Sequence, residues 1–285
     1  MKQRISSTLF LCGIISFTLI KFGLTGGILL LIFVAALTQY ELYKLMELLH
    51  YRPYKYTSIA VSILALCKNY FRSEGICELN CTISALSVAT VLFALSTVLS
   101  HNPKSLLTAF LPTIFGTTFI VTAFALPISF IKTTALYTGS PQVAIALILW
   151  IVVVTKFSDI GGLLVGSKWG KHPLAPQFSP KKTYEGLAGS IVFSLLSGLV
   201  LSQIYIHYFQ CWPNCFGILK IYIISSMLSF FALISDLIES GFKRLANQKD
   251  SGRTIPGIGG IFDLTDSLIL TLPLGVILIQ NFVFC

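Results

Sequence analysis

Stretches of almost continuous apolar residues alternate with short polar connections along the whole chain. They cover residues 6–20, 24–40, 56–71, 82–100, 105–131, 141–158, 185–209, 218–237 and 262–284. A helix needs about 20 apolar residues to cross the hydrocarbon core of a bilayer. The pattern therefore predicts an all-α, polytopic integral membrane protein with about nine transmembrane helices. The first and third stretches are short for a crossing. The first, with Lys2 and Arg4 ahead of its apolar run, is similar to a signal peptide. It lacks a small-residue cleavage site and another apolar stretch soon follows, so it is read as retained.

The polar positions between these stretches have a rhythm of their own. Basic residues gather at Lys2/Arg4, at Lys44, Arg52 and Lys55, at Lys104, at Lys168, Lys171, Lys181 and Lys182, and at Lys243, Arg244, Lys249 and Arg253. The intervening connections are poorer in base, although 72–81 carries Arg72 beside Glu74 and Glu78. Lys and Arg accumulate in cytoplasmic loops. The alternation predicts a cytoplasmic N-terminus, an external C-terminus and a cell inner (cytoplasmic) membrane location. No internal repeat, low-complexity tract or appended soluble domain interrupts the pattern. Residues 1–285 read as one membrane domain, with 1–150 an N-terminal helical frame and 151–285 the half that carries chemistry.

Composition agrees. Of 285 residues 55% are hydrophobic and only 11% charged, whereas a soluble domain needs about 25% charged residues to cover its surface. That excludes a soluble enzyme, a disordered chain and a free nucleic-acid binder. The net charge of +9 is accounted for by loop orientation, and no nucleic-acid partner is expected. Cys77/Cys81 and Cys211/Cys215 are each four apart and lack zinc-ligand spacing. Disulfides stay open for these pairs if their loops face an oxidising space. Cys12 and Cys67 fall in apolar stretches and read as packing residues.

The acids are unevenly placed. Of eleven, only Glu41, Glu47, Glu74 and Glu78 precede Asp159. Ionisable groups at membrane segments are costly and point to function. In the first charged region, Lys156 and Asp159 are three apart and share a helix face, as a functional pair or an interfacial ion pair. Gly162, Gly166 and Gly170 have the small-x-x-x-small spacing of helix packing. The run Gly161–Lys168 fails as a phosphate loop, because Ser167 stands where that motif needs Lys. In Ser179-Pro180-Lys181-Lys182-Thr183, two cations and two hydroxyls bracket a rigid proline turn. Such a group suits a polyphosphate or anionic lipid heads.

In the second region Asp236, Glu239 and Lys243 line one helical face. Arg244, Lys249 and Asp250 follow, then the loop Pro256-Gly257-Ile258-Gly259-Gly260, then Asp263 and Asp266 three apart. Carboxylates here suit Mg²⁺, which takes a few oxygen ligands plus substrate phosphates. The alternative is a cytoplasmic loop of compensating salt bridges. A mixture of Asp, Lys and Arg under a membrane fits phosphoryl or nucleotidyl transfer better than a proton relay.

These residues resemble the phosphatidate cytidylyltransferases, also called CDP-diacylglycerol synthases. That family's signature is a Ser, two residues, Lys-Arg, four residues, Lys-Asp, a Pro-x-His-Gly-Gly loop and Asp-Arg-x-Asp. Here Ser240, Lys243-Arg244, Lys249-Asp250, Pro256, Gly259-Gly260, Asp263 and Asp266 keep its spacing. The block from Ser179 to Gly186 is similar to the family's Ser-Pro-Lys-Lys-Thr-aromatic-Glu-Gly, and the Asp159 region with its glycines also matches. Together they cover about 110 residues of the C-terminal half. Ile258 replaces the family's His and Leu264 its Arg. The carboxylates and paired bases remain, which favours retained activity.

The resemblance implies a nucleotidyltransferase that forms CDP-diacylglycerol and pyrophosphate from CTP and phosphatidate. It implies catalytic roles for Asp236, Lys243, Arg244, Lys249, Asp250 and Asp263. Ser179, Lys181, Lys182, Thr183, Glu185, Ser240, Gly259 and Gly260 would bind substrate. Mg²⁺, as one ion or two, would be held by Asp236, Asp263 and Asp266. The partners are the bilayer, the two substrates and a second copy in a homodimer, with the active site facing the cytoplasm. Two alternatives share the same charges: a CTP-dependent polyprenol or phytol kinase, and a membrane transporter or scaffold.

Overall fold

The computed structural model describes residues 2–71, 106–175, 179–209, 217–248, 250–252, 254–255, 257 and 259–283. The expected span 82–100, the connection 72–81, both spaced cysteine pairs, Lys249, Pro256 and Ile258 lie outside the described residues.

The elements are α1 (Lys2–Leu48), α2 (Lys55–Phe71), α3 (Leu111–Thr138), α4 (Pro141–Trp169), β1 (Pro173–Ala175), β2 (Ser179–Thr183), α5 (Tyr184–Ile204), α6 (Ile218–Leu245) and α7 (Ile261–Val283). Short π-helical turns precede α3 and extend α5. Among the described residues six helices are long and apolar enough to cross a membrane, where the pattern predicts about nine spans. Part of the difference lies in α1. The stretches 6–20 and 24–40 are joined without a loop, and helical geometry is broken only at Gly23, with φ 53° and ψ −133°. The stretch 56–71 forms the 17-residue α2.

Four helices outrun their apolar stretches, 24–40 continuing to Leu48 and 105–131 to Thr138. The stretch 141–158 continues helical to Trp169 and 218–237 continues to Leu245. Charge does not break a helix, and Lys156 and Asp159 support one another across a turn. Lys156 and Asp159 of the first region and Asp236, Lys243 and Arg244 of the second therefore stand on helices, while Lys181 and Lys182 stand on a strand. A further difference concerns Ser179–Thr183. It is a strand rather than a proline turn, pairing antiparallel with β1 through Pro173↔Thr183 and Ala175↔Ser179.

The chain divides into two compact units, Met1–Ser129 with Phe242–Thr265, and Phe130–Gly241 with Asp266–Cys285. In the first unit Tyr43 of α1 donates to the Thr113 carbonyl of α3 at 2.9 Å and lies 3.2 Å from the Thr117 hydroxyl. Its ring occupies the space where a side chain at Gly116 would stand. Ile28, Leu42, Leu45, Leu66, Ile120 and Phe124 are buried in this unit.

In the second unit α4 bonds to three helices. Trp150 donates to the Gly198 carbonyl of α5 at 2.9 Å, Ser158 to Ser229 of α6 at 2.8 Å, and Thr155 to Thr271 of α7 at 3.2 Å. Lys220 of α6 donates to the Phe282 carbonyl at the end of α7 at 2.6 Å, satisfying a terminal acceptor. Outward-facing Leu163, Val200 and Leu219 are each more than half exposed. Such apolar exposure is a liability in water and ordinary against lipid.

The glycines of α4 act as the spacing predicts. A side chain at Gly162 would collide with the Ser190 hydroxyl, and one at Gly161 would come within 2.7 Å of the Gly189 carbonyl. On the facing helix a Cβ at Gly189 would lie 2.5 Å from Val165 Cβ and 2.8 Å from the Gly161 carbonyl. Small residues let the two backbones approach, which is how membrane helices gain packing energy. Gly189→Val is therefore expected to force α4 and α5 apart and to destabilise the second unit by about 1–3 kcal/mol. A thermal melt of detergent-purified protein reads this as a fall in midpoint. An unchanged midpoint would contradict the close packing.

Candidate functional site

Each unit holds its own set of carboxylates and lysines. In the second unit the set begins on α4, where Lys156 Nζ lies 3.5 Å from Asp159 Oδ2. The same ammonium lies 3.8 Å from Asp266 Oδ1 on α7 and donates to Ser267 Oγ at 2.7 Å. Ser267 Oγ in turn donates to Asp159 Oδ2 at 2.9 Å. One cation and one hydroxyl thus hold two carboxylates of different helices. On α6, Asp236 pairs with Lys182 of β2 at 3.1 Å, and the Lys182 ammonium also reaches the Leu233 carbonyl at 3.4 Å. Asp236 is close enough to repel both Asp159 and Asp266 electrostatically. Ser235 donates to the Asp266 carbonyl, fixing α6 against α7 beside this set. Asp236 Oδ1 is buried without a hydrogen-bond partner among the described residues. A buried acceptor without a donor costs free energy, and a cation or a donor from a ligand would satisfy it.

The hairpin that delivers Lys182 is fastened at its base. Thr183 is the N-cap of α5 and accepts from the Gly186 N–H at 3.1 Å. Glu185 accepts from the backbone N–H groups of Lys171 and His172, and its other oxygen lies 2.6 Å from His172 Nδ1. Thr183 and Glu185 therefore build the backbone that presents the two lysines. Lys182 points back to α6, while Lys181 is exposed and Ser179 half-buried on the same strand.

In the first unit the set centres on Asp263, in the first turn of α7. It accepts from the N–H of Gly260 at 2.8 Å, closing the N-terminal turn as a capping box does. It also accepts from the Ser251 N–H at 3.0 and 3.1 Å, and from Lys243 Nζ at 3.2 Å. Gly259, at φ 126°, takes a conformation that L side chains rarely adopt, and a Cβ there would strike the Asp263 carboxylate. Ile255 and Gly259 pair through N–H···O bonds of 2.9 and 3.1 Å, which sets up this approach. Arg244 and Asp250 are exposed, and Ser240 is half-buried on α6.

Of the expected metal trio, Asp236 and Asp266 belong to the second unit and Asp263 to the first. Lys243 and Asp263 are brought together, as are Lys182 and Asp236. Among the described residues no group of three or more acids, histidines or cysteines is arranged to hold a metal by protein ligands alone.

One participant went unread in the sequence. Glu41 of α1 is only 2% exposed. It accepts from Ser251 Oγ at 3.0 Å, from the Phe262 N–H at 2.9 Å and from the Thr254 hydroxyl. The signal was present, because Glu41 follows Thr38 by three residues and precedes Leu45 by four, on a face that is otherwise buried. An acid on the buried face of a membrane helix asks for a reason.

Lys156→Met removes the ammonium nearest Asp159 and Asp266. It is expected to cost roughly 1–3 kcal/mol, between the values for exposed and buried pairs. Adding Asp159→Asn should return part of that loss. Thermal melts of the two single variants and the double variant give the coupling, and purely additive effects would show that the pair does not stabilise the unit.

A family model described as cytidylyltransferase family matches residues 2–282. Proteins named phosphatidate cytidylyltransferase are similar over a shorter stretch. One from Staphylococcus epidermidis is 39% identical over 135 residues, covering 47% of this chain and 49% of its own. One from Staphylococcus saprophyticus is 41% identical over 134 residues, and one from Staphylococcus aureus 40% over 135, each with the same coverage. The chain spans about half the length of the curated relatives it matches.

Proposed function

The chain belongs to the cytidylyltransferase family, and from that membership and its two carboxylate–lysine sets we propose that it transfers the cytidylyl group of CTP to phosphatidate. The products would be CDP-diacylglycerol, for phospholipid synthesis, and pyrophosphate. The observation that carries the reading is the set on α4, α6, α7 and β2. There Asp159, Asp236 and Asp266, on three membrane-length helices, stand with Lys156 of α4 and Lys182 of β2. The charge rhythm of the connections supports a bacterial inner membrane location with this face toward the cytoplasm. A homodimer is the assembly we propose.

The reaction follows from the groups present. A phosphate oxygen of phosphatidate attacks the α-phosphorus of CTP in line. The bond from that phosphorus to the oxygen bridging the β-phosphorus breaks, and its electron pair leaves with pyrophosphate. A phosphomonoester has its second pKa near 6, so the nucleophile is already ionised and needs no strong base. Positioning and electrostatics carry the rate. Lys182 and Lys243, part-buried counter-ions of Asp236 and Asp263, can turn an N–H donor toward a phosphate. Exposed Lys181 and Arg244 would meet the triphosphate and the lipid phosphate. Lys249 is proposed beside them from its place in the motif, and Asp250 as support to Asp263.

The residues fit Mg²⁺. The ion commonly uses one or two carboxylates and completes its octahedron with water and substrate phosphates. Asp236, with its partnerless Oδ1, and Asp266 would hold it. Bound there it would neutralise charge on the triphosphate. Asp263 is proposed to act from its own set, oriented by the Gly260 and Ser251 N–H groups.

CTP labelled at the α-phosphate is expected to pass its label to the lipid, while γ-label leaves with pyrophosphate. Entry of γ-label into the lipid would overturn the reading in favour of a kinase. Asp236→Asn and Asp263→Asn should each lower turnover by about 100-fold or more without loss of protein from the membrane. Near-normal turnover in either variant would remove that residue from the mechanism.

A further inference from the structure

We propose that Glu41 is a positioning residue for this transfer: its buried carboxylate holds Ser251, Thr254 and Phe262, and the N–H groups of Ser251 and of Gly260 aim the Asp263 carboxylate. The inference rests on the reading of the chain as a phosphatidate cytidylyltransferase, and every contact it uses lies within the first unit. Glu41 takes three uncharged donors at once. Its Oε2 accepts from Ser251 Oγ and the Phe262 N–H, and its Oε1 from the Thr254 hydroxyl. Only an acceptor on both oxygens satisfies all three as they stand. Two glycines make room for it. A Cβ at Gly252 would lie 2.6 Å from Glu41 Oε1, and one at Gly260 would strike Oε2.

The link to Asp263 is direct. Ser251 gives its hydroxyl to Glu41 and its N–H to Asp263, so one residue joins the two carboxylates. Gly260, whose missing side chain admits Glu41, gives its own N–H to Asp263. Phe262 N–H is one of the donors that the start of a helix leaves without an internal partner. Glu41 satisfies it from another helix. Without Glu41 the hydroxyls of Ser251 and Thr254 and this N–H lose their acceptor. The segment then has no fixed register, and the two N–H groups that orient Asp263 move with it. Misplacement by about 1 Å can cost on the order of 100-fold in rate.

The test uses the full chain in detergent or nanodiscs. Hydrogen exchange of the 250–262 segment is measured for the wild type, Glu41→Ala, Glu41→Gln and Ser251→Ala. Cytidylyl transfer from CTP to phosphatidate is followed in parallel. Glu41→Ala is expected to raise exchange in this segment about tenfold while α4 and α5 stay protected. It should lower kcat on the order of 10- to 100-fold with a KM for CTP near that of the wild type. Glu41→Gln keeps the shape and one acceptor oxygen, and is expected to recover most of both losses. If Glu41→Ala does not fold, Ser251→Ala breaks the same bridge and should move exchange and kcat in the same direction. Unchanged exchange and kcat in Glu41→Ala, or in Ser251→Ala where Glu41→Ala does not fold, would overturn the proposal. An equal loss of protection in all helices would overturn it too, since Glu41 would then serve general stability. If the wild type makes no CDP-diacylglycerol, the reading of the activity fails, and the exchange data still decide whether Glu41 orders the segment.

Discussion

A charge at a membrane helix must be partnered, because hydrocarbon offers it nothing. That constraint organises both units. Lys156 serves Asp159 and Asp266 together, Lys182 serves Asp236, and Lys243 serves Asp263. Uncharged polar groups follow the same rule, with Ser158 against Ser229, Thr155 against Thr271, and Tyr43 against Thr113 and Thr117. These bonds cross from helix to helix, so satisfying polarity and fixing the arrangement within each unit are one event. In water each group could turn to solvent and the helices could slide.

The same partnerships bear on chemistry. A lysine that neutralises a carboxylate in the resting protein is already aimed and part desolvated. In the proposed reaction a phosphate would find donors whose geometry is set by the fold. The motif residues divide accordingly. Thr183, Glu185, Gly259 and Gly260 hold backbone: a cap, a clasp on the hairpin base, a turn at φ 126°, and an N–H aimed at Asp263. Lys181, Lys182, Lys243, Asp236, Asp263 and Asp266 carry the charge. On the proposed reading, the first group would serve substrate through the backbone it presents.

Much of this was legible in the chain. Apolar length marked the helices, and the four-residue spacing of small residues marked the face where α4 meets α5. The helix limits were less legible, because hydropathy falls where charge begins while helical hydrogen bonding continues through Lys156, Asp159 and Lys243. A local reading of the hairpin gives a turn because proline dominates it, whereas pairing with residues 173–175 is a longer-range property. The role of Glu41 is hidden from the sequence for a related reason. Its partners Ser251, Thr254 and Phe262 are more than two hundred residues away, and single-helix periodicity cannot see them.

The break at Gly23 has a mechanical meaning. At about 1.5 Å per residue an unbroken helix of 47 residues would reach about 70 Å, more than twice the hydrocarbon thickness. The arm after Gly23 is about 37 Å long by the same rise, enough to cross the bilayer unaided, and it carries Glu41. A rigid rod would act as a lever, passing every tilt of its first arm into that carboxylate. The rod is instead bent at one glycine, so closely that Gly26 and Gly27 of the second arm lie against Thr18 and Leu19 of the first.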